Sequence, residues 1–163
     1  MLLSSSLECA PSQLENLAKS TSNRIRNGLF EDSDISFFPW IPSGFVQLKA
    51  EGETAFVGSG HVRFTPGSGQ IGRIWQRTRN LRLGKLYVLR FAIRSSGDAP
   101  RRLVLQFGCR TIVISGRDLP SDYNQFTFVF RARARHPRVR FTVFGNTGSI
   151  VDLDAVSLCS NGS

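Results

Sequence analysis

No stretch of this chain approaches the ~18 consecutive apolar residues that a membrane-spanning helix needs. The opening MLLSSSLECA holds only Leu2 and Leu3 where a secretory leader carries a longer apolar run. Two placements follow: cytoplasmic if this is the full native chain, or extracellular, secreted as part of a longer precursor. Cysteine is sparse, and Cys9, Cys109 and Cys159 follow no metal-ligand spacing. Their odd number leaves at least one unpaired within the chain. Either Cys9 and Cys159 bridge the two ends, or all three are idle thiols. The sequence also lacks a Gly-x-Ser-x-Gly elbow and a phosphate-cradling loop that opens a helix. Of the two histidines, His61 falls in a strand and His136 precedes Pro137 in a turn, and neither has a partner at metal-ligand spacing. These absences point away from an enzyme. Self-similarity at 20–50 residues, the mark of propellers and solenoids, is missing as well.

Negative charge is scarce too: 12 acidic residues face 21 basic ones, for a net charge of +9. Lysine supplies only Lys19, Lys49 and Lys85 of the basic set, so the excess is arginine. Such a balance favours an anionic partner, because the summed field speeds encounters with polyanions. An arginine bias in the coding sequence would give the same composition without any binding role.

What the chain does have is a supply of core: 40% of its 163 residues are hydrophobic, including 13 Phe, enough for one globular domain. Residues 1–23 are Ser-rich and poor in aromatics. They hold one short helix, predicted to start at the capping box Ser12-Gln13-Leu14-Glu15 after Pro11. They read as a leader or docking segment that could engage a partner chain, ahead of a domain over 24–159.

Beyond Asn27 the pattern is period two. In 86–94, Tyr87, Leu89, Phe91 and Ile93 share one face, while Val88, Arg90, Ala92 and Arg94 share the other. Phe126, Phe128 and Phe130 alternate with Thr127, Val129 and Arg131, and Val139, Phe141 and Val143 with Arg138, Arg140 and Thr142. Further strands are expected over 44–50, 61–65, 69–77, 102–107, 110–115 and 150–158, each bounded by Gly, Ser, Asp or Asn. About nine strands with no long helix imply an all-β fold, two antiparallel sheets packed as a sandwich.

The order of landmarks is more specific. Asn27-Gly28-Leu29-Phe30-Glu31 comes first, then Trp40, then Ile74-Trp75-Gln76 leading through Leu83-Gly84-Lys85-Leu86-Tyr87 into the 88–94 strand. Tyr123-Asn124-Gln125-Phe126 follows, and Val151-Asp152-Leu153-Asp154-Ala155-Val156-Ser157-Leu158 closes the domain. Over 27–158 this resembles the galactose-binding-like jelly roll of the carbohydrate-binding modules appended to glycanases. It departs from that pattern at Leu29, where a small residue is usual, at Ala155, where a second Asp is usual, and in its arginine load.

The resemblance implies a jelly-roll sandwich, a non-catalytic role in binding carbohydrate, and a structural calcium held by Glu31 and Asp154. Two carboxylates would supply part of the six to eight oxygens calcium takes. The other reading of the pair is contact with nearby arginines or a turn cap. Sugar rings are gripped by aromatic faces and planar polar groups. Trp75, Tyr123 and Trp40 are the aromatic candidates, with Trp40 alternatively a plug for the end of the sandwich, and Gln106 is a planar amide on an expected strand. The outward arginines Arg90, Arg94, Arg102, Arg131, Arg133, Arg138 and Arg140 would form one broad basic face if their strands shared a sheet. That face would suit an acidic glycan. The alternative is a structural or assembly protein, or an interaction domain, using it on nucleic acid or another polyanion.

Overall fold

The computed structural model describes residues 10–31, 36–50 and 54–161 of the chain. Cys9 lies outside them, so the Cys9–Cys159 pairing does too. Cys109 is exposed and Cys159 buried, with burial pushing the Cys159 thiol up from its ordinary range.

Among these residues one α-helix and ten strands run in the order α1 (Pro11–Lys19), β1 (Ile41–Gly44), β2 (Val46–Lys49), β3 (His61–Phe64), β4 (Ile71–Arg77), β5 (Leu86–Ser95), β6 (Arg102–Phe107), β7 (Arg110–Ser115), β8 (Asn124–Arg131), β9 (Arg138–Phe144) and β10 (Val151–Ser160), with a single 3-10 turn, Gly116–Asp118, between β7 and β8. The strands form two five-stranded antiparallel sheets, β1-β4-β9-β6-β7 and β2-β3-β10-β5-β8. This is the expected all-β sandwich of jelly-roll type. The strand absent from the sequence reading is β1, whose Ile-Pro-Ser-Gly has no alternation. It sits at a sheet edge and is exposed throughout, the one place where a proline costs no ladder bond that the sheet needs.

The inward rows meet as predicted. Tyr87, Leu89, Phe91 and Ile93 from one sheet and Leu103, Leu105, Val139, Phe141 and Val143 from the other are all buried in one cluster. Phe91 is central to it, stacked 5.6 Å from Phe126 within its own sheet and edge-on 5.1 Å from Phe141 in the facing one. Aromatic pairs with such offsets add to simple area burial.

The helix starts two residues earlier than a cap at Ser12 would place it, with Ala10 as its N-cap. Pro11 occupies the first helical position, where its missing N–H is no loss, and Gln13 accepts the Ala10 N–H at 2.7 Å. The described part of the leading segment is packed on the sandwich and is not set apart from it. Leu14 is fully buried in a small cluster with Leu29 and Ala155, flanked by Leu17, Phe56 and Val57. Asn23 accepts the Ile25 and Leu158 N–H groups through Oδ1, which sews the segment to β10. Leu29 and Ala155, the two departures from the family pattern, are thus the residues the helix packs against. Ala155 also marks a bulge in β10, where the register to β5 shifts between Asp154 and Ser157 and φ at Ala155 is +52°.

Candidate functional site

With α1 and the segment 54–57 against the outer side of the second sheet, β10 is buried along almost its whole length. Among the described residues the outer side of the first sheet carries no such cover, and its side chains are set by register. Ile41, Trp75, Arg140, Gln106 and Thr111 are successive Cα partners, one from each strand, so they form a row across the sheet. At about 4.8 Å per strand spacing, the row spans about 19 Å, room for several sugar rings. Ser43, Arg73, Thr142, Val104 and Val113 make the adjacent row.

Within this face the polar groups are tied to one another. Arg140 Nη1 donates to Gln106 Oε1 at 3.2 Å, and Arg73 Nε donates to Thr142 Oγ1 at 3.0 Å. The Arg138 guanidinium lies 4.6 Å from the centre of the Trp75 ring, a cation–π contact that holds both side chains in place. Four of the residues expected from sequence, Trp75, Gln106, Arg138 and Arg140, are therefore brought together. Arg73 and Thr142 belong with them. The signal for Arg73 was its place two residues before Trp75, which puts both on one side of the strand.

The other candidates lie elsewhere. Trp40 is buried, its ring centre 5.7 Å from Phe30 and 6.3 Å from Phe141, and its Nε1 donates to the Asn27 carbonyl at 3.0 Å. Its role is to plug the sandwich, and it presents no ring face to a ligand. Arg94 and Tyr123 belong to a polar cluster on the second sheet. Asp152, fully buried, accepts from Arg63 Nε (2.8 Å), Arg63 Nη2 (3.1 Å) and Arg94 Nε (2.9 Å), with His61 Nε2 at 3.6 Å. Arg94 also lies over the Tyr123 ring at 4.8 Å, and the Tyr123 hydroxyl donates to the Thr54 carbonyl at 2.7 Å. Burial first, then the Asp152 and Asp154 charges, hold that phenol well above its ordinary range. Arg131 donates to the Gly84 carbonyl at 2.6 Å, and Arg131 and Arg133 line a small pocket with Phe107, Cys109 and Pro137. The single basic face is corrected accordingly. Arg90, Arg94 and Arg131 stand on the second sheet, Arg133 follows β8, and only Arg102, Arg138 and Arg140 share the first.

Glu31 and Asp154 both bind the segment 56–60 that leads into β3, Asp154 from the central strand β10. Glu31 Oε1 accepts the Ser59 and Gly60 N–H groups at 2.8 and 2.7 Å, and Oε2 accepts the Ser59 hydroxyl at 3.1 Å. Asp154 Oδ2 accepts the Phe56 and Val57 N–H groups, both at 3.0 Å, and Oδ1 that of Ala155 at 2.7 Å. Burial, with a further push from the Glu31 charge, raises the Asp154 carboxyl to about 8 despite these bonds. No third Asp, Glu, His or Cys joins the pair among the described residues.

No family model matches the sequence, and no curated protein matches it. Solved structures do match in fold. A family 61 carbohydrate-binding module, solved in complex with β-1,4-galactotriose, superposes with a TM-score of 0.67 at 18% identity, covering 85% of this chain and 99% of that one. The CBM22-1 xylan-binding domain from Paenibacillus barcinonensis gives 0.57 at 11% identity, covering 82% and 91%. The enzymatically active domain of tailspike protein 4 from bacteriophage CBA120 gives 0.68 at 15% identity, with 86% of this chain matched to 22% of that one. The chain has the jelly-roll fold of carbohydrate-binding modules.

Proposed function

We propose that this chain is a non-catalytic carbohydrate-binding module that lays a glycan across the outer side of its first sheet. The observation that carries the reading is the Trp75-Arg140-Gln106 row with Arg138 over the tryptophan, presented by the sheet without cover from α1. An aromatic plane meets sugar C–H surfaces, and an adjacent amide and guanidinium reach hydroxyls. Neighbours in fold whose names include a galactotriose complex and a xylan-binding domain support it. No described helix is long and apolar enough to cross a membrane, and secretion would put the module where polysaccharides are. The test is binding to a panel of immobilised neutral and acidic polysaccharides. Retention on at least one class is expected, and silence on all of them would overturn the proposal.

A calcium ion held by Glu31 and Asp154 is part of the same proposal. The donor set fits a hard cation. Two carboxylates hold one segment, 56–60, Asp154 has only N–H partners and no lysine or arginine among the described residues, and its buried charge is poorly compensated. Each carboxylate has accepted three donors of about four sites, so backbone carbonyls would have to supply most remaining oxygens. Bound calcium would neutralise the pair. Melting in excess calcium should lie about 5 °C or more above melting in EDTA, with most of the difference lost in Glu31→Gln. Identical melting curves would remove calcium from the account.

A further inference from the structure

We propose that the glycan held on the first sheet is an acidic one, its carboxylate or sulfate groups taken by arginines; this rests on the carbohydrate-binding reading above. None of the five strands of that sheet contains a single Asp or Glu. Five arginines nevertheless stand on its outer side: Arg73 and Arg77 from β4, Arg102 from β6, and Arg138 and Arg140 from β9. Among the described residues none of the five is in an ion pair. The contrast with the second sheet is sharp, because there Arg63 and Arg94 share the buried Asp152.

Their placement follows the strands. Arg77 and Arg138 are Cα partners in one row, Arg140 is in the next with Trp75, Arg73 in the one after, and Arg102 in the last, beside Phe144. Alternate residues of a strand are about 6.7 Å apart, so four successive rows put a guanidinium at every step over about 20 Å. A polymer with charged groups at regular intervals meets several of them at once. A neutral sugar can take hydrogen bonds from such a row but cannot relieve its mutual repulsion, whereas an anionic one does both.

The guanidiniums are also oriented for a ligand. Arg138 lies over Trp75, and Arg102 lies 4.3 Å from the centre of the Phe144 ring, so an aromatic plane holds one at each end of the face. Stacking leaves the in-plane N–H fork free for paired bonds to an anionic group. Arg140 uses one of its five donors on Gln106, and its Nε is buried, so the remaining Nη donors are the ones it has for an anion.

The test is binding of the full chain, by calorimetry or gel retardation, to polygalacturonate, heparin, neutral β-1,4-galactan and a random DNA duplex. Polygalacturonate or heparin should bind about tenfold or more tighter than galactan at ~0.05 M salt, with most of that preference gone at ~0.5 M. Which of the two is preferred separates carboxylate from sulfate as the group recognised. Arg77→Gln combined with Arg102→Gln should cut the acidic-to-neutral affinity ratio about tenfold. Arg79→Gln with Arg82→Gln, which removes the same charge from exposed positions off this face, should leave the ratio nearly unchanged. Equal or tighter binding of galactan would overturn the acidic preference while sparing the carbohydrate reading. Silence on all three glycans would overturn the acidic preference, and silence on the whole polysaccharide panel would overturn the carbohydrate reading with it. Duplex DNA bound as tightly as the acidic glycans would also overturn the inference, in favour of a general polyanion surface.

Discussion

Asp152→Ala should cost the domain about 3–5 kcal/mol of stability, a large part of what a domain this size has. The carboxylate is fully buried on β10, directly across from Arg63 on β3 and Arg94 on β5, and bonds to both. Alanine removes the shared anion and leaves two largely buried guanidiniums facing each other across the central strand of the sheet. Repulsion and lost solvation then act together. Asp152→Asn keeps the shape and one acceptor oxygen, so it should fall between the two. Replacing Asp152, Arg63 and Arg94 together by apolar residues of similar volume should be milder than Asp152→Ala, because no charge is then left stranded. Urea titration followed by tryptophan fluorescence measures all three. A loss below about 1 kcal/mol for Asp152→Ala would mean that water reaches the cluster and the ion pairs count only as surface ones.

Trp75→Ala is the complementary case, with a large loss of binding and little loss of stability. The side chain is half-buried on the outer side of β4, opposite in direction to the fully buried Ile74, so its removal opens no cavity in the core. Its loss gives up the contact with Arg138, worth about 0.5–1 kcal/mol. For a bound glycan, the loss is the stacking plane itself together with the support that keeps Arg138 in position. An aromatic contact of about 1.5–3 kcal/mol corresponds to roughly 10–100-fold in affinity. Measured by calorimetry on whichever polysaccharide the wild type retains, that drop should accompany a melting temperature lowered by only a few degrees. Unchanged affinity would place the ligand elsewhere on the molecule.

The parts of this molecule that depend on neighbours along the chain were legible in its sequence, and the parts that depend on strand order were not. Tyr87, Leu89, Phe91 and Ile93 declare an inward row by alternation alone, and Trp75 declares its outward direction against Ile74 and Gln76. Trp40 has no such pattern around it. Only the assembled sandwich shows that it fills space between Phe30 and Phe141. The arginines were read correctly as pointing away from the core, but two sheets have two outer sides. The order β4-β9-β6 and the pairing of β10 with β5 decide which arginines meet. Arg94 finds Asp152 from 58 residues away, a partner that spacing along the chain does not reveal. The helix was visible from Pro11 and the capping-box residues Ser12-Gln13-Leu14-Glu15. Its packing against Leu29 and Ala155 was not, because both positions register in the sequence only as departures from a family pattern.

NMR mapping decides whether the outer side of the first sheet is the binding surface. Titrating the isotopically labelled chain with tri-galacturonate and, separately, with β-1,4-galactotriose should shift amide and side-chain signals of β4, β9 and β6. The Trp75 indole and the Arg140 and Gln106 side chains should move most, while the signals of Asp152, Tyr123 and the α1 helix stay in place. Shifts confined to the second sheet, to α1 or to the pocket beside Cys109 would contradict the claim.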